Sequence, residues 1–219
     1  GRTYLARRDN IHKYTGGRFD PGDRLSRTAP AVDEPPPPPP AALTPCRALP
    51  EGRPLALLLT EDDLHPESLG LPTERVAAVG GFSAAADRSV DGTAAGPLAF
   101  AEGGLEDALA RAAQHFGVDA RRFEATSIEH IAAWLQDDGI TDLAVSWPPV
   151  GPARLHAGEL ARGLAERGVD VWPQRREWDE RLWPLATGGY FGFRKRGLPV
   201  ALALATSADG AGGEARRTA

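Results

Sequence analysis

The stretch Leu55-Ala56-Leu57-Leu58-Leu59-Thr60 decides the fold. Five apolar residues follow one another and stop at a polar one. That is the pattern of a strand covered on both faces, not of one that alternates toward water. Working outward, Arg75-Val76-Ala77-Ala78-Val79-Gly80 is a second such run. Leu105, Ala108, Leu109, Ala112, Ala113 and Phe116 then recur at helical spacing, and Gly117 is the expected stop. Ser127 stands just before Ile128, Ile131, Ala132 and Leu135, so it reads as the N-cap of a helix closing at Gly139. Leu143-Ala144-Val145-Ser146-Trp147 is a third strand. Residues 152–167 form a third helix, closed by Gly168, and Val169-Asp170-Val171-Trp172 is a fourth strand. A short extra strand fits near Arg122-Phe123-Glu124-Ala125. Strands alternating with Gly-terminated helices predict an α/β domain over residues 55–196. Its sheet is parallel, doubly wound and Rossmann-like, with four to five strands.

The flanks read differently. Residues 1–29 are polar, basic and aromatic, with a short helix expected near Asn10 to Tyr14. Residues 30–54 are a Pro-rich linker. Its six consecutive prolines, Pro35 to Pro40, favour an extended, stiff form. Residues 197–219 are rich in Ala and Gly, and little order is expected beyond Leu202.

Composition narrows the function classes. The 219 residues carry a net charge of −5 with both signs spread along the chain, which argues against a wholly basic nucleic-acid domain. The single cysteine, Cys46, allows no internal disulfide and no Cys-based metal cluster, and reads as an incidental thiol. No apolar run reaches the roughly 18 residues of a membrane helix, so no membrane is expected and a cytoplasmic setting fits best. The chain contains no methionine, and its first residues lack a signal-peptide pattern. These features predict the C-terminal piece of a larger protein.

Few residues point to chemistry. Gly80-Gly81-Phe82 follows a strand but lacks the spacing of a dinucleotide or phosphate loop, so a tight turn is the expectation. Residues 147–152, Trp-Pro-Pro-Val-Gly-Pro, follow a strand and open a helix, where parallel sheets bind ligands, although prolines supply no backbone donors. Asp62, Asp63, His65 and Glu67 form a dense polar cluster that reads as a solvated loop before a divalent-ion site. No two of the five histidines pair at zinc spacing, no nucleophile elbow occurs, and no catalytic or metal residue is assigned. Residues 175–196 interleave Trp178, Trp183, Tyr190, Phe191 and Phe193 with arginines. Such a segment either grips bases and phosphates or folds its rings onto the sheet with its charges in water, and the second is expected.

Two segments carry a resemblance. The opening, with Asn10 followed by Arg18-Phe19-Asp20-Pro21, resembles the tail of the flavin-binding helical domain in the DNA photolyase/cryptochrome family. Residues 176–195, from Arg176-Glu177-Trp178-Asp179 through Gly188-Gly189-Tyr190-Phe191-Gly192-Phe193-Arg194-Lys195, are similar to the end of an α/β extension in some bacterial photolyase-like proteins. The Asn10 to Arg18 spacing is one residue longer than the family's, and the chain departs from its pattern after Arg196. The resemblance implies FAD, light-driven repair of damaged DNA or a blue-light response, and an upstream FAD-binding domain as partner. It implies Tyr4, Arg7 and Asn10 as residues near the closing edge of the flavin pocket, most of which lies upstream. The fragment alone is then not a complete lyase. Two other readings stand beside it: a stand-alone α/β domain binding a small nucleotide or pigment, and an interaction module using residues 175–196.

Overall fold

The computed structural model describes residues 5–29, 35, 42–123 and 127–215, with side chains as far as residue 206. Two compact units separate between residues 41 and 42. Among its described residues the first holds one short helix, α1 (Arg8–Tyr14). Arg8 donates from Nε to Asp20 at 2.7 Å and closes the segment on itself. That ion pair draws the exposed Asp20 carboxyl down to about 2. Pro36 to Pro40 of the proline run lie outside the described residues.

The second unit has an α/β fold. Its five strands are β1 (Leu55–Leu59), β2 (Val76–Gly81), β3 (Ala120–Arg122), β4 (Asp142–Ser146) and β5 (Asp170–Gln174). They pair in the order β3-β2-β1-β4-β5, every neighbour parallel. The run that opened the sequence reading is therefore the centre of the sheet, and all five of its residues are buried. The chain builds outward from β1 through β2 to β3. It then returns across the sheet to β4 and β5. Right-handed crossovers in opposite directions put their helices on opposite faces, which makes the sheet doubly wound and Rossmann-like.

Burial follows that winding. On one face, α2 (Ala95–Phe116) lays Leu105, Ala108, Leu109 and Ala112 against Leu57, Leu59 and Val79. On the other, α3 (Ile128–Asp137) and α4 (Pro152–Ala165) bring Ile131, Leu135, Leu160 and Leu164 against Ala56, Leu58, Leu143 and Val145. Alternate residues of one strand thus feed two cores, which is why an unbroken apolar run was required. The link from β1 to β2 carries no α-helix. Two 3₁₀ turns, Pro66–Leu69 and Thr73–Arg75, lie there, and Leu69 and Leu71 are buried in the α2-side core.

Several expectations change. Gly80 and Gly81 lie inside β2 and do not form a tight turn after it. A Cβ on Gly80 would come within 2.7 Å of Phe123 and 3.0 Å of Trp134; one on Gly81 would sit 3.0 Å from Leu105. The glycines are there because both cores press on the strand. The extra strand occupies Ala120–Arg122, slightly ahead of its expected place, and residues 124–126 lie outside the described residues. The first long helix begins at Ala95, ten residues before the spacing became legible. Ser127 caps α3 as expected, its Oγ accepting from the His130 amide.

Residues 42–54, assigned to the linker by composition, belong to the second unit. Arg75 donates to the carbonyls of Pro50 and Arg53, the Arg53 guanidinium lies 3.1 Å from Asp142, and Arg47 stacks over Trp172 at 4.2 Å. After β5 come α5 (Glu177–Leu182), a 3₁₀ turn and α6 (Tyr190–Ala215). The last helix continues past Leu202, where the sequence pattern suggested little order. Ala and Leu, both strong helix formers, predominate over residues 201–205.

Candidate functional site

A sheet wound 3-2-1-4-5 splits its covering helices at the boundary between β1 and β4, and a crevice opens beyond the carboxyl ends of those strands. Here the crevice has a volume of about 290 Å³. Thr60 and Asp63 follow β1, Ser146 ends β4, Gln174 ends β5, and Trp147 and Trp183 supply aromatic wall. The sequence reading pointed to residues 147–152 as a ligand position, and Trp147, Pro148 and Pro149 do line the crevice. The prolines form wall without donating, and the Trp147 amide is already spent on the Gln174 carbonyl at 2.7 Å.

Polar chemistry enters through Arg175. Its side chain is 0% exposed. Nε donates to Glu180 Oε1 at 2.7 Å, Nη2 donates to the Thr44 carbonyl, and the guanidinium stacks on Trp147 at 4.1 Å. The remaining nitrogen, Nη1, is buried and has no hydrogen-bond partner among the described residues. A buried donor without an acceptor is costly. Arg175 lines the crevice, and its Nη1 is left for an acceptor atom, while its charge is already paired with Glu180.

Arg176 beside it is fully engaged. It donates from Nη1 and Nη2 to the two oxygens of Asp63, at 2.7 and 2.6 Å. Burial alone would raise the Asp63 carboxyl, but the Arg176 hydrogen bonds and charge hold it below its ordinary value, with a smaller contribution from Ser146. The Ser146 hydroxyl is buried close to Asp63. Asp179 is pushed the other way: burial raises its carboxyl, and the nearby Asp63 charge adds to this against the opposing pull of Arg176. The crevice is therefore lined by the Arg175 guanidinium with one unanswered N–H group, the Ser146 hydroxyl, the Asp62, Asp63 and Asp179 carboxyls, and aromatic wall. That inventory suits non-covalent binding. It contains no assembled nucleophile and base.

The cluster of Asp62, Asp63, His65 and Glu67 does not converge on a single point. Arg88 pairs with Asp62, Arg176 with Asp63 and Arg111 with Glu67. Each carboxylate is answered by its own arginine. No group of three or more ligating side chains suited to a metal ion occurs among the described residues.

The residues implied by the family resemblance lie in the first unit. Tyr4 is outside the described residues. Arg7 is 69% exposed at its side chain, 3.7 Å from Asp9, and borders an open cavity of about 390 Å³ with Arg8, Asp23 and Arg27. Asn10 lies on α1, which buries no residue, and does not line that cavity. Arg7 and Asn10 therefore do not line a common cavity among the described residues.

The arm over residues 175–196 keeps part of its expected arrangement, with Arg181, Arg194, Lys195 and Arg196 exposed, and departs from it in its rings and in Arg175. The rings were to fold inward with the charges in water. Arg175 is buried, while Tyr190 and Phe191 are 67% and 80% exposed. Sequence reasoning missed Arg175, Arg176, Asp179 and Ser146 as crevice residues. One signal was available: Ser146 stands near the carboxyl end of a predicted parallel strand and Arg175 three residues beyond another, close to the position from which such sheets bind ligands. A comparison with protein-family models, with characterised proteins and with solved structures found no match to this chain.

Proposed function

We propose that the α/β unit is a non-catalytic binding module that holds a small planar anion, a nucleotide or a pigment, in the crevice between β1 and β4. The observation that carries this reading is the buried, unpartnered Nη1 of Arg175 beside the Trp147 ring. A crevice of about 290 Å³ lies at the lower end of the range for small-molecule sites, so a single ring system suits it better than a dinucleotide. In the larger protein this module would serve a photolyase-like flavoprotein, in light-driven DNA repair or blue-light response, with FAD held by an upstream helical domain. That part of the proposal rests on the resemblance of residues 1–29 and 176–195.

The test is a thermal-shift series on the purified chain with nucleoside monophosphates, FMN and folates, alongside neutral riboflavin. Stabilisation by an anionic planar compound, reduced in Trp183→Ala, supports the module. No stabilisation by any compound overturns it. The flavoprotein part is checked separately by the visible spectrum after incubation with FAD and desalting. A retained flavin band would mean that the first unit holds more of the pocket than its geometry suggests.

A further inference from the structure

Helix α6 turns apolar side chains in two opposite directions. Phe193, Gly197, Val200 and Leu204 recur at spacings of four, three and four, which keeps them on one side of a helix. Gly197 is buried and the other three are partly buried. A Cβ on Gly197 would meet Leu182 of α5 at 3.5 Å, so this side faces α5. Phe191, Leu198 and Leu202 recur at seven and four, on the opposite side. They are 80%, 47% and 59% exposed. The Tyr190 ring, also exposed, lies 5.3 Å from that of Phe191. The flanks of this outer stripe are basic. Arg194 and Lys195 stand on either side of the line from Phe191 to Leu198. Both are exposed, and neither makes an ion pair among the described residues. Arg196 is occupied elsewhere, donating to the Leu185 carbonyl and the Thr187 hydroxyl, each at 3.0 Å. Residues 190–206 contain no acidic side chain, in a chain whose net charge is −5.

We infer that α6 lays its outer face on an anionic lipid surface. An apolar stripe between cations, on a segment without anions, complements a surface that is negative at the headgroups and apolar beneath them. Phe191, Leu198 and Leu202 enter the boundary of the acyl chains, Tyr190 sits among the headgroups, and Arg194 and Lys195 reach the lipid phosphates on their flexible stems. No helix among the described residues is long and apolar enough to cross a membrane, and lying in the interface requires none. Leu198 and Leu202 argue against a nucleic acid as the occupant, because neither can stack on a base or donate to a phosphate. Charge argues against a second copy of the chain, because a shared stripe would set the Arg194 and Lys195 of both copies together.

The experiment is cosedimentation of the full chain with vesicles of phosphatidylcholine alone and of equal parts phosphatidylcholine and phosphatidylglycerol. Binding is expected to the mixed vesicles, and it should weaken as salt is added. Each cation near such a surface strengthens partitioning about fivefold, so the double variant Arg194→Gln, Lys195→Gln should bind roughly 25-fold more weakly. Phe191→Ser, which changes the apolar stripe and leaves the charge alone, should bind about tenfold more weakly. All three side chains are exposed, and circular dichroism checks that each variant keeps its helices. No binding to the mixed vesicles overturns the inference, and so does equal binding to both kinds. Binding that survives the two variants undiminished also overturns it. Retention of a DNA duplex by a chain that ignores the vesicles would assign the face to nucleic acid instead.

Discussion

Replacing Arg175 with lysine isolates what the structure asks of that residue. The charge survives, but the planar fork does not. From the geometry, the substitution removes the donor to the Thr44 carbonyl and leaves that acceptor short of a partner, a cost of about 1 kcal/mol. It also removes the guanidinium stacked 4.1 Å from Trp147, worth about 1 kcal/mol more at a buried site. The lysine ammonium keeps its pairing with the partly exposed Glu180, so that contact changes little. The sum is about 2 kcal/mol, which corresponds to a fall in Tm of roughly 4–8 °C for a domain of this size. Urea unfolding with a constant m-value would measure it. The lysine cannot present a second, free nitrogen to the crevice while its ammonium sits on Glu180. An anionic ligand that stabilises the parent chain should therefore bind at least about tenfold more weakly. A stability change below about 0.5 kcal/mol, or unaltered ligand binding, would refute the view of Arg175 as a rigid anchor with one open valence.

Three further outcomes follow from the same geometry. Gly80→Ala should cost about 1–3 kcal/mol in denaturant unfolding, since its Cβ would press on Phe123 and Trp134 in a filled core. Trp172→Phe should cost about 1–3 kcal/mol, because the fully buried Asp142 loses the indole N–H that donates to it at 2.9 Å. Asp63→Asn bears on pH dependence. The folded-state pKa of Asp63 is depressed, so its contribution is present above the ordinary carboxylate range, near 4. That contribution is lost as pH falls through the lower folded value. The variant should be less stable than the parent at pH 7, and the gap should close on acidification. A gap that persists undiminished at pH 2 would contradict the ion pair with Arg176.

What the chain determined by itself is the class of fold. Continuous apolar runs such as residues 55–59 can be satisfied only by cover on two faces. The spacing of Leu105, Ala108, Leu109 and Ala112 builds a helix wherever that face is buried, and Ser127 caps α3 through atoms three residues away. All of these are local properties of the polymer. The site was not local. Ser146 and Arg175 are 29 positions apart, and Asp63 and Arg176 are 113 apart. They meet because β1 lies between β2 and β4, a pairing order that no short window of sequence encodes. The same holds for Gly80, which looks like a turn until Phe123 and Trp134 arrive from distant segments. Whether an arginine in a basic, aromatic stretch faces water or is buried with one donor unspent depends on which strand end it follows and what packs over it. Only the assembled sheet, with Trp147 on one side of Arg175 and Thr44 and Glu180 on the others, decides that.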